Sequence, residues 1–187
     1  DADRNVNEFC AALESWRDHG VLAFTINLQG GGAIYDEEVY DAYDNNAYTP
    51  AGDLKPEYMA RVEKILARAD ELGMVVILGM FYNAHVKKLD GEPAIHRAAQ
   101  NTMAWLAESG YQNVLIEIAN EIEWVVHGTG ITLFEPHRVG EIIAPLREKW
   151  PQFLYSTSQG GFHEEKNIGF PTPELIDVLD FLMPHGN

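Results

Sequence analysis

The 187-residue sequence has a single cysteine, Cys10, which excludes an intramolecular disulfide and leaves the redox compartment open. Cys10 falls on an apolar helical stripe and reads as a packed core thiol. Cations are scarce: 13 Lys and Arg against 29 Asp and Glu give a net charge of −16, which repels phosphate backbones and anionic membrane surfaces. Nucleic acid and membrane surfaces are therefore not expected partners. No apolar run approaches the roughly 18 residues of a membrane span, and the opening Asp-Ala-Asp-Arg-Asn has none of the character of a secretory leader. Any targeting segment is expected to have been removed or never present. What the sequence does have is 46% hydrophobic residues, enough for one substantial core, so residues 1–187 read as one domain or a piece of one.

Apolar spacing divides the chain into alternating helices and strands. Phe9, Cys10, Leu13 and Trp16 mark one helical face and Gly20 its end. A second helix starts near Pro56, with Met59, Val62, Ile65, Leu66, Ala69 and Leu72 on one face and Gly73 as its stop. Ile95, Ala98, Ala99, Thr102, Met103 and Leu106 predict a third, closed by Gly110. Val139, Ile142, Ile143 and Leu146 predict a fourth, with Pro145 expected to kink it or delay its start. A short helical stretch follows near Pro173 to Val178. The strands read as Val21–Asn27, Met74–Phe81, Val114–Ala119, Phe153–Ser158 and Phe181–Met183. They are short and apolar on both faces, the pattern of βα units in a parallel sheet.

Two parallel architectures are open, a closed eight-stranded (β/α)8 barrel and an open doubly wound sheet. A nucleotide-binding open sheet usually carries a glycine-rich turn leading directly into a helix. Gln29-Gly30-Gly31-Gly32 instead leads into a long loop rich in Tyr, Asp and Asn, so the glycines read as a loop and no cofactor is expected. A full barrel takes about 250 residues. If the first helix is the barrel's first, the five strands are the second to the sixth, and the remaining three are expected outside this sequence. Five parallel strands alone would leave open edges; the chain is expected to belong to a longer product or to self-associate.

Residues 113–124, Asn-Val-Leu-Ile-Glu-Ile-Ala-Asn-Glu-Ile-Glu-Trp, carry the most chemistry. Alternation puts Leu115, Glu117, Ala119 and Glu121 on one face, taken as the barrel interior. Glu121 then sits at the C-terminal mouth, where barrel enzymes build their sites. Glu117 lies roughly 13 Å deeper at about 3.3 Å per residue. At that depth a carboxyl group must be paired or protonated, so Glu117 reads as structural.

Glu117-Ile-Ala-Asn120-Glu121 resembles the fourth-strand signature of the clan A glycoside hydrolases, a (β/α)8 superfamily that includes cellulases and mannanases. Looser similarity runs through Phe24-Thr25-Ile26-Asn27-Leu28-Gln29-Gly30-Gly31, Gly79-Met80-Phe81-Tyr82 and Ser156-Thr157-Ser158-Gln159-Gly160-Gly161. The resemblance implies a partial barrel spanning about strands two to six. It implies hydrolysis of the O-glycosidic bonds of a poly- or oligosaccharide, with Glu121 as general acid/base and Asn120 on the sugar 2-hydroxyl. It also implies a retaining reaction, with a nucleophile Glu ending a seventh strand that this sequence does not contain, and a secreted or periplasmic setting. The family often has Pro after the Asn-Glu pair, where this chain has Ile122, and a Tyr near the sixth-strand end, where it has His185 and Asn187.

Aromatic side chains can pack on the apolar faces of sugar rings. Trp124 and Tyr82 are the expected substrate contacts, with His185; Phe81, Phe162, Tyr35, Tyr43 and Tyr48 are further rim or loop aromatics. Glu123, Glu164 and Glu165 are the carboxylates near enough in sequence to replace the nucleophile, and read first as surface charges. Two rival functions stay open. His85, His127, His163 and His185 each follow a different strand, so a metal-dependent barrel hydrolase is one, although no His-x-His or His-Glu-x-x-His spacing occurs. The other is a non-catalytic carbohydrate-binding barrel.

Overall fold

The computed structural model describes residues 1–30, 45–161 and 169–185. The chain opens on α1, Ala2–Asp18, capped by Asp1, whose carboxylate accepts from the Asp3 and Arg4 amides at 3.0 and 3.3 Å. β1, Ala23–Asn27, follows, then the short antiparallel pair β2, Gln29–Gly30, and β3, Asn45–Asn46. α2, Pro56–Glu71, begins on a proline, whose missing N–H costs nothing in a first turn. β4, Val75–Tyr82, runs into a 3-10 turn at Asn83–Lys88. α3, Glu92–Ser109, ends on left-handed Gly110. β5, Val114–Asn120, leads through Glu121 into α4, Ile122–Thr129. α5, Gly140–Lys149, then β6, Leu154–Ser156, β7, Ser158–Gln159, α6, Pro173–Val178, and β8, Met183–Pro184, complete the order.

β1, β4, β5 and β6 form a parallel sheet in that order, and β7 pairs in parallel with β8. Each strand therefore lies beside its successor with no reversal of order, the winding of a barrel; a doubly wound sheet switches direction part way. Successive helices also pack side by side, α1 on α2, α3 on α5 and α5 on α6. The side chains facing them are dry: Val76, Leu78 and Met80 of β4, Val114, Ile116 and Ile118 of β5, and Tyr155 of β6 are all buried. The opposite face carries Thr25, Ile77, Leu115 and Leu154 in one register row, and there Leu154 is 50% exposed. The architecture is α/β, a curved parallel sheet with helices on one side: part of a (β/α)8 barrel.

Four local readings change. The predicted strand at Phe153–Ser158 is broken at Thr157, where the backbone leaves β5 for β8: the Thr157 hydroxyl donates to the Ala119 carbonyl at 2.7 Å and the Ser156 hydroxyl to the Phe181 carbonyl at 2.5 Å. Side chains thus take over where the ladder stops. The Phe181–Met183 strand is observed two residues later. Residues 122–129, to which the sequence reading assigns no element, form α4 with Ile122 and Val125 buried. α5 runs through Pro145 from Gly140, so the proline does not delay the start.

Candidate active site

The site is built where β5 ends. Asn120 is the last residue of the strand, in register with Tyr82 at the end of β4. Glu121 then takes a left-handed backbone conformation, φ 50° and ψ 66°, uncommon for a side chain with a Cβ and a mark of functional constraint. Its carbonyl already accepts from the α4 amides of Trp124 at 2.8 Å and Val125 at 3.2 Å. Its own amide donates to the Ser158 hydroxyl oxygen at 2.8 Å. Held from both sides, the Glu121 carboxyl group meets the His185 ring with 2.7 Å between Oε1 and Nδ1. The Glu121 side chain is 23% exposed, so it is reachable from outside while one oxygen shares a hydrogen with imidazole.

The other expected contacts are only partly gathered. Tyr82 is half-buried, its amide donating to Gln29 Oε1 at 3.2 Å. Burial first, and then the charges of Glu121 and Glu117, push its phenol above the usual tyrosine range, which places the ring in the field of both carboxyls. Trp124 lies one turn into α4, exposed, with its ring edge-on to His127 at a centroid distance of 5.9 Å. Asn120 is half-buried at the strand end.

Several rim assignments are corrected. Phe81 is fully buried, packed on Tyr48 and Phe134 at centroid distances of 5.8 and 5.5 Å. Strand alternation had left its direction open, and the core claims it. Tyr48 is also buried, its hydroxyl 3.0 Å from that of Thr102. Glu123 is a half-buried clamp rather than a surface charge: its Oε2 accepts from the Gly160 amide at 2.9 Å and ties α4 to the turn after β7. Tyr35, Tyr43, Phe162, His163, Glu164, Glu165 and Asn187 lie outside the described residues.

Among the described residues the histidines do not form a cluster. His85 is buried, His127 sits against Trp124, and His185 faces Glu121. Among the described residues no group of three or more His, Cys, Asp or Glu side chains is arranged to hold a metal.

Beneath Glu121 the lumen face is polar. Asn27, Gly79, Glu117 and Ser156 share one register row across β1, β4, β5 and β6. Glu117 is 1% exposed, and burial is the main cause raising its carboxyl above the ordinary value. The polar groups of Ser158 and the nearby His185 pull the other way, and the Glu121 charge adds to the rise. Ser158 influences the carboxyl but forms no hydrogen bond of good geometry with it, and neither oxygen has a donor among the described residues. Burial therefore dominates. Ser158 is the residue that sequence reasoning missed: one hydroxyl in a Ser-Thr-Ser run gives no sign that it will support the Glu121 amide.

No protein-family model matches the sequence, and no curated protein matches it. Solved structures do resemble the fold. Superposition on an alpha-amylase from Lactobacillus plantarum gives a TM-score of 0.51 at 17% identity, covering 95% of this chain and 48% of that one. An endo-beta-1,4-mannanase from Thermotoga petrophila gives 0.49 at 18% identity, covering 82% and 40%. An endo-1,4-beta-mannanase from Rhizomucor miehei gives 0.49 at 14%, covering 96% and 58%. The chain thus spans about half the length of these structures. The likeness to the alpha-amylase agrees with a fold that is part of a TIM barrel.

Proposed function

We propose that this chain is part of a glycoside hydrolase that cleaves O-glycosidic bonds of a poly- or oligosaccharide, with Glu121 as general acid/base. The observation that carries the reading is the Glu121 carboxyl itself: accessible, at a parallel strand's C-terminal end, fixed by a left-handed backbone and 2.7 Å from His185. A glycosidic oxygen departs as an alkoxide unless it is protonated, and a positioned carboxyl group supplies that proton. The short Glu121–His185 contact gives the proton a second resting place, so the imidazole can keep the carboxyl oriented between turnovers. Asn120, Tyr82, Trp124 and His185 are the groups proposed to hold the sugar, with exposed Trp124 offering a flat apolar surface to a ring.

A retaining reaction needs a second carboxylate about 5–5.5 Å from the acid. Glu123 is engaged with Gly160 and Glu117 is dry, and we assign the nucleophile to a Glu on a further strand of the barrel, beyond this sequence. The rival carbohydrate-binding reading uses the same surface. Glu121→Gln separates the two: an acid catalyst loses turnover of unactivated glycosides while substrate affinity is kept. Saccharide binding by the unaltered protein with no release of reducing ends would support the binding module and overturn the enzyme.

A further inference from the structure

Glu117 and Asn27 bring two acceptor oxygens to one glycine. A Cβ added at Gly79 would lie 1.9 Å from Asn27 Oδ1 and 3.2 Å from Glu117 Oε2, so both oxygens crowd the same point above that glycine. Both are buried and neither has a donor among the described residues. Two acceptors gathered over one glycine in a dry site repel each other, and leaving each without a donor costs about 1–3 kcal/mol. One hydrogen on Glu117 removes the conflict, because a neutral carboxyl group can donate to the Asn27 carbonyl oxygen and still accept on its other oxygen. Ser158 also neighbours the Glu117 carboxyl group; its hydroxyl oxygen takes the Glu121 amide hydrogen and so has its own hydrogen to give.

We infer that Glu117 is a positioning residue for Glu121: a neutral carboxylic acid that donates to Asn27, accepts from the Ser158 hydroxyl, and so fixes the oxygen supporting the strained Glu121 amide. The titratable groups facing it are Glu121 at the end of β5, Tyr82 on β4 and His185 at the end of β8; β1 contributes only the neutral Asn27. With one imidazole nearby and two other groups that can only add negative charge, the surroundings favour a Glu117 that keeps its proton. Gly79 makes the arrangement possible, since any side chain there would displace the Asn27 amide. The inference shares its site with the proposed hydrolysis, but it is read without turnover, so failure of one leaves the other standing.

Infrared spectra of the 187-residue protein at neutral pH should contain a protonated-carboxyl stretch that is lost in Glu117→Gln and kept in Glu121→Gln. Absence of that band from the unaltered protein, or its survival in Glu117→Gln, overturns the inference; the first outcome would mean that Asn27 turns its amide nitrogen towards an ionised Glu117. Should Glu117→Gln not fold, direct carbon NMR titration of labelled glutamates decides: one carboxyl still protonated at neutral pH supports it, and none overturns it. The positioning step is read from the Glu121 amide and His185 ring resonances. Ser158→Ala must displace both while Glu117→Gln, which can still donate and accept, leaves them in place; unmoved resonances in Ser158→Ala overturn that step.

Discussion

The two carboxyl groups of β5 stand four residues apart on one strand and have opposite surroundings. Glu121 is 23% exposed, touches an imidazole, and stands where the backbone is strained. Glu117 is 1% exposed, on a regular strand, above a glycine and beside an amide. The same functional group is thus open to proton exchange at one position and shielded at the other. Depth along the strand, through its effect on water access, sets what each can do.

The largest effect should come from the rim. Glu121→Gln is expected to lower turnover of unactivated glycosides about 10²–10⁴-fold while changing unfolding free energy by about 1 kcal/mol or less, because the amide can still meet His185. Denaturant unfolding beside steady-state kinetics checks both halves, and a large stability loss with little change in turnover would reverse the comparison. Next in size, Gly79→Ala drives a methyl group into the Asn27 amide and should cost about 1–3 kcal/mol, measured by the same unfolding curves. A cost near zero would mean that Asn27 is not held against Glu117.

The pH dependence of stability sharpens the contrast. Burial raises the folded-state pKa of Glu117 above that of the unfolded chain, where a glutamate titrates near about 4.3. The folded chain binds the extra proton. Stability from this group is therefore complete below the unfolded value and is lost as pH rises through the folded one. Melting temperatures of the unaltered protein should fall across that window relative to Glu117→Gln, and parallel curves would deny Glu117 a raised value. The smallest effect is expected at Trp124: removing its exposed ring in Trp124→Ala should weaken saccharide binding by about 0.5–1.5 kcal/mol and leave the melting temperature nearly unchanged, as titration calorimetry and a thermal scan would show.

Much of this contrast was legible in the sequence. The period-two pattern of Leu115, Glu117, Ala119 and Glu121 located one carboxyl at the mouth and one below it, because strand geometry fixes depth. Helix ends were equally readable where Pro56, Gly73 and Gly110 stood at them. The break at Thr157 was not, since Ser156 and Thr157 replace ladder bonds with side-chain bonds to Phe181 and Ala119, and those partners lie far away in sequence. Phe81 and Tyr48 were misplaced for a related reason: an aromatic side chain after a strand suits either a sugar or a core, and only packing against Phe134 and Thr102 decides. α4 escaped because it is two turns long and begins at a residue with no capping side chain.

The most direct test of the central claim compares leaving groups. A residue that protonates the departing oxygen matters only when that oxygen is a poor leaving group. Kinetics of Glu121→Gln on two glycosides of the same sugar, one with an alkyl and one with a nitrophenyl leaving group, should show the loss concentrated on the alkyl glycoside. An equal loss on both, or no loss on either, would contradict the assignment of Glu121 as the acid.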